Sequence, residues 1–175
     1  MKKKVKPQQP QQLSPKKYFQ TRASTLPLFN CFINKDYKVG GMATIVVARQ
    51  HKTGNITFAT FLVDLYALGV KDVMWKFNIP EPEFQEFIKN MDDIGAVPCD
   101  YKLAHSLIWG SVDFATAHGF KSHPGFQIAK GILADKDDRS IKKVPYQFGH
   151  DGKPFVIGTG VYDESKYIDY DSEEK

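Results

Sequence analysis

Two apolar runs set the strongest constraint on this chain: residues 42–49 (MATIVVAR) and 56–65 (ITFATFLVDL), separated by a turn containing His51, Lys52, Thr53, Gly54 and Asn55. Both are rich in β-branched or aromatic residues, and the short Gly-Asn connection predicts a β-hairpin. A strand with one wet face alternates apolar and polar residues. These runs are apolar at nearly every position, so they are covered on both faces or sit centrally in the sheet. Either way the chain must supply further elements to pack against them.

The remaining pattern supplies them. Leu26, Leu28, Phe29, Cys31, Phe32 and Ile33 predict a short strand before the hairpin, and Asn34, Lys35, Asp36, Gly40 and Gly41 a loop. Residues 68–72 interrupt the apolar pattern, which resumes as strand or turn over 73–77. A helix is predicted over 81–91, with Pro82 in its first turn and Phe84, Phe87, Ile88 and Met91 on one stripe. Asp100 caps a longer helix over 101–118. Its Ala104, Leu107, Ile108, Ser111, Val112 and Ala115 fall at helical spacing, and Gly119 stands at its end. Small residues including Gly110, Ser111 and Ala115 permit another element to approach closely. Ser122 and Pro124 open a third predicted helix, reaching Leu133. A second hairpin is expected from 146–149 and 155–157 around Asp151-Gly152. The expected class is α+β, a mainly antiparallel sheet from two β-hairpins packed against about three helices.

At 175 residues the chain accommodates one domain plus tails. Its longest apolar stretch, 58–63, is far short of the ~20 residues of a membrane span. The lysine-rich start runs into Pro and Gln with no apolar core, so no secretory signal is expected. Cys31 and Cys99 are too few for a disulfide framework or a four-cysteine zinc site, and read as reduced thiols of a cytoplasmic protein. No phosphate-cradling glycine loop, GxSxG, HExxH or CxxC occurs, and no cofactor is implied.

Charge is segregated along the chain. Residues 1–22 carry Lys2, Lys3, Lys4, Lys6, Lys16, Lys17 and Arg22 with no acid, a charge of +7, whereas 163–175 carry −4 and 23–162 are nearly neutral. This divides the chain into a basic Lys/Pro/Gln arm over 1–22, expected to be disordered, one α+β domain over 23–162 and an acidic tail over 163–175. An acid-free basic arm suits a polyanion, because each lysine on a phosphate releases a condensed counterion. The leading expectation is a non-enzymatic RNA-binding protein, ribosome-associated by analogy of layout. Lys2, Lys3, Lys4, Lys6, Lys16, Lys17 and Arg22 would contact phosphates, and Tyr18, with Phe19 beside it, would stack on an unpaired base.

Two other classes compete. Asp64 ends an apolar strand, Asp72 follows in the Gly69-Val70-Lys71-Asp72 turn, and His105 lies on the long helix. Gathered around a divalent metal, these would make a hydrolase or nuclease; separately, Asp64 pairs with Lys71 or caps its turn. His118 and His123 serve helix ends, and His150, Asp151 and Lys153 sit in a tight turn. Finally, the acidic tail could dock on a basic protein partner.

The segments LVDLYALGVKD (62–72), AHSLIWGSVDFATAHGFKSHPGFQIAK (104–130) and FGHDGKPFVIG (148–158) together resemble a family of uncharacterised bacterial proteins. Those proteins share LVD…LGVK, GF..H and DGKP segments, and the resemblance spans roughly residues 42–160. It implies no assigned activity. Tyr66-Ala67 stands where members often carry cysteine, so the resemblance implies no cysteine nucleophile there. The basic arm lies outside the shared segments.

Overall fold

The computed structural model describes residues 12–156. Lys2, Lys3, Lys4, Lys6 and the acidic tail lie outside the described residues. The predicted hairpin is present as β2 (Met42–Gln50) and β3 (Ile56–Asp64), paired in unbroken register from Met42 opposite Asp64 to Gln50 opposite Ile56. It is flanked by β1 (Leu28–Asn34) and β4 (Gly69–Ile79), with the short β5 (Ala96–Pro98) beyond β1, so the described sheet runs β4-β3-β2-β1-β5, antiparallel throughout.

The two-sided apolar character of the hairpin has a direct structural cause. Alternate residues of a strand point to opposite faces. Ala43, Ile45, Val47, Ala59, Phe61 and Val63 enter the main core, beneath α4 (Tyr101–Ala117). Val46, Ala48, Ile56 and Phe58 enter a second core on the other face, closed by Phe84 of α3 (Glu81–Lys89).

The helix α4 follows the sequence closely. The Asp100 carboxylate accepts a hydrogen bond from the Lys102 N–H at 2.7 Å, capping the helix start, and Gly119 follows its end at φ +84°. Six residues of α4 are buried, Ala104, His105, Leu107, Ile108, Ser111 and Ala115. Small side chains admit a close neighbour here. A Cβ on Gly69, the first residue of β4, would lie 3.0 Å from both Ala115 Cβ and the Ser111 carbonyl oxygen.

Three expectations change. First, residues 15–22 are an ordered helix, α1 (Pro15–Arg22), docked on the domain. Ser14 accepts from the Lys17 N–H, Pro15 occupies the first turn, and Phe19 is fully buried. One aromatic anchor suffices to dock a segment whose composition reads as disordered. A short helix α2 (Tyr37–Gly40) also precedes β2. Second, the third predicted helix reduces to α5 (Phe126–Ala129) and a 3-10 turn over Lys130–Ile132, without a cap from Ser122. Gly131 packs so tightly on α1 that an added Cβ would meet the Phe19 carbonyl oxygen; backbone packing, rather than helical propensity, shapes this stretch.

Third, among the described residues the second hairpin consists of its turn alone; Ile157, predicted in its second arm, lies outside them. Asp151 and Gly152 both have positive φ, 53° and 75°, and His150 pairs with Lys153 as an isolated bridge. The arms then part. Gly149 N–H donates to the Leu65 carbonyl at 2.9 Å, and Phe155 N–H to the Tyr66 carbonyl at 3.0 Å. The Asp-Gly turn is a local preference and forms, but the arms find better partners in the loop after β3. Among the described residues no helix is long and apolar enough to cross a membrane.

Candidate nucleic-acid interface

The helix α1 turns Phe19 inward against Trp75 of β4, ring centroids 4.9 Å apart, and leaves Lys16, Lys17 and Arg22 exposed. Phe19 is therefore withdrawn from any stacking role. None of the three cations pairs with a carboxylate among the described residues. Tyr18, one position earlier, is half-buried. Its ring lies 4.9 Å from Phe77 of β4 and 5.9 Å from His51 in the β2–β3 turn, while His51 and Phe77 are 5.6 Å apart, edge to face.

This three-ring cluster stands on a β-bulge. Ile56 pairs with Ile79 and Phe58 with Lys76, so Phe77 and Asn78 together oppose Thr57, with Asn78 at φ +55°. The Thr57 hydroxyl accepts the Asn78 N–H at 2.9 Å and lies 2.7 Å from His51 Nε2. The hydroxyl and Nε2 thus share a hydrogen bond whose donor is set by the imidazole tautomer. Burial pushes the His51 pKa below the usual histidine value.

The segments that carry the rings hold charge of one sign. The segments that contribute them, residues 12–35, 43–63 and 73–80, contain no aspartate or glutamate, but carry Lys16, Lys17, Arg22, Lys35, Arg49, Lys52 and Lys76. Within this set Arg49 is buried and committed, donating to the carbonyls of Ile132 and Leu26 and to the Tyr101 hydroxyl. Lys76 pairs with Glu83 at 2.9 Å, and the strand alternation puts it on the face opposite Phe77. Lys16, Lys17, Arg22 and Lys52 remain exposed without a carboxylate partner among the described residues. In the sequence Tyr18 stands beside the cations of α1, whereas His51 and Phe77 lie in separate segments with nothing to link them to it. Only the fold brings three separate segments together, although the acid-free stretch 43–63 was visible in the sequence.

The competing metal constellation is not assembled. Asp64 is buried, and its Oδ1 accepts the N–H groups of Tyr66 and Ala67 at 2.8 and 3.1 Å, closing the turn after β3. Asp72 is exposed, bonds the Val73 N–H and faces His123 at 3.9 Å. His105 is buried across the domain, its Nε2 within 3.2 Å of the carbonyls of Ala134 and Asp135. Among the described residues no group of three or more His, Cys, Asp or Glu could hold a metal ion. His118 binds the Phe114 carbonyl through Nδ1, and His150 faces Asp151 at 3.5 Å.

Cys31 and Cys99 are free thiols joined by a backbone hydrogen bond from Cys99 N–H to the Cys31 carbonyl. Burial pushes Cys31 up to about 12 and Cys99 up to about 11, so both stay protonated and weakly nucleophilic.

Segments 62–72 and 104–130 and the described part of the third, 148–156, meet around the loop after β3. Gly149 and Phe155 bond Leu65 and Tyr66, His123 N–H donates to the Val70 carbonyl, and Phe148 covers Gly110. Comparison with protein-family models, with curated proteins and with solved structures finds no match.

Proposed function

We propose that this protein binds RNA through its N-terminal basic region, in a cytoplasmic and ribosome-associated setting. The observation that carries the reading is α1. It is fastened by Phe19 and holds Lys16, Lys17 and Arg22 in solvent without a described carboxylate partner. It directly continues residues 1–11, which add Lys2, Lys3, Lys4 and Lys6 and no acid. The ring-bearing segments 43–63 and 73–80 likewise carry no acid, and two free cysteines suit a reducing compartment.

The test is a salt titration of binding to a fluorescent RNA oligonucleotide. With about five phosphate contacts to single-stranded RNA, log K against log salt should have a slope of about −3.5. Deleting residues 1–11 and replacing Lys16, Lys17 and Arg22 with glutamine should flatten it and lower affinity at every salt concentration. The helix itself must stay, because Phe19 is the anchor that docks it on the domain. Equal binding by both proteins, or a slope near zero, would overturn the reading. Capture of a ribosome by the intact protein but not the truncated one would place the RNA.

A further inference from the structure

We infer that Tyr18, His51 and Phe77 form a stacking platform for an unpaired base, so that the ligand at this site is single-stranded rather than duplex RNA. This rests on the reading of α1 as an RNA-binding element and names the part of the RNA it takes. Docking of α1 already has its anchor in Phe19, fully buried against Trp75. Tyr18 adds a second aromatic contact outside the core, and Tyr18, His51 and Phe77 are each only half-buried.

The platform is rigid where a base would land. Phe77 sits in the bulge, His51 is tied to Thr57, and the turn is stitched to the bulge again by Asn55 Nδ2 to the Asn78 carbonyl at 3.2 Å. It is also bordered by cations. Exposed Lys52 follows His51 in the turn, Lys16 and Lys17 precede Tyr18, and none of these three pairs with a described carboxylate. Rings that accept a base face beside lysines that accept phosphates are the two parts of a single-strand site. In a duplex the bases are already stacked on one another, and their faces are closed to such a platform.

The experiment measures binding of a short oligouridine and of an RNA duplex of equal length to the full chain. Phe77→Leu and Tyr18→Leu keep apolar volume but remove the ring, whereas Phe77→Tyr keeps it. Each leucine variant should lose about tenfold in oligouridine affinity with an unchanged salt slope, and Phe77→Tyr should bind as the parent does. Duplex affinity should be weaker at the outset and indifferent to all three changes. Leucine variants that bind as well as the parent, or a duplex held as tightly as the single strand, would overturn the platform. So would a Phe77→Tyr variant as weak as Phe77→Leu, because packing would then explain the loss. A steep salt slope with silent ring variants removes this inference alone. A flat slope in the parent removes the RNA-binding reading beneath it.

Discussion

The helices α1 and α4 lie on the same side of the sheet, yet they attach in opposite ways. The 17 residues of α4 bury six side chains along one stripe and spread their contact over four strands. The eight residues of α1 bury only Phe19, carry three cations and no carboxylate, and rest on α5 and the adjoining 3-10 turn. A helix that contributes little apolar surface but holds unpaired charge in a fixed place is built for display rather than for stability. α4 is the reverse.

The largest test of this contrast is Phe19→Ala. Truncating a buried phenylalanine costs about 3–5 kcal/mol, and here the loss should release α1 while leaving the sheet and α4 paired. Hydrogen exchange should show amides 15–22 losing protection and amides of α4 keeping theirs; simultaneous loss in both would erase the distinction.

Gly110→Leu probes the other helix. A Cβ there would lie 2.5 Å from Phe148 Cζ, so the larger side chain must push the C-terminal turn away. Overpacking of this kind costs about 1–3 kcal/mol, read by urea denaturation. An unchanged midpoint would mean that Phe148 yields freely and that the turn contributes little to the domain.

Capping separates the two helices again. Asp100→Ala removes a 2.7 Å charged cap on a helix central to the core and should cost about 1 kcal/mol. Ser14→Ala removes a 3.3 Å bond from an exposed helix end and should cost about 0.5 kcal/mol or less. Equal costs in a denaturant series would show α1 to be as tightly coupled as α4.

The smallest effect is pH dependence at the β2–β3 turn. The His51 pKa is lowered in the folded chain by burial, so the unfolded chain binds its proton more readily. Its contribution to stability is complete above the ordinary histidine pKa of about 6.5 and is lost as pH falls through the lowered folded value. His51→Gln should remove that part of the acid sensitivity; an identical stability profile would show that His51 is not differentially protonated.

The sequence was most legible where one short stretch holds all the information. The hairpin β2–β3 is declared by two apolar runs and a Gly-Asn turn, α4 by its stripe and its Asp100 cap, and the Asp151-Gly152 turn by local backbone preference. Legibility failed where a single long-range contact decided the outcome. The composition of residues 12–22 argues for disorder, and only the pocket beneath Phe19 reverses that. The candidate site divides in the same way. Lys16, Lys17, Tyr18 and Arg22 were visible as a basic patch beside an aromatic. Phe77 reads in isolation as an ordinary strand residue, and His51 as a turn residue.

Charge balance, the α+β class and the central hairpin were thus determined by the sequence itself, because periodicity and turn chemistry act between residues close in the chain. The tertiary structure decided which of two adjacent aromatics faces the core, which acids stay apart and which rings meet. Phe19 fills the main core while Tyr18 stays at the rim. Asp64, Asp72 and His105 each satisfy separate hydrogen bonds, and Tyr18, His51 and Phe77 meet although the first pair is 33 positions apart in the chain and the second 26. Such meetings depend on how strands register and helices dock, and those are properties of the whole packed chain.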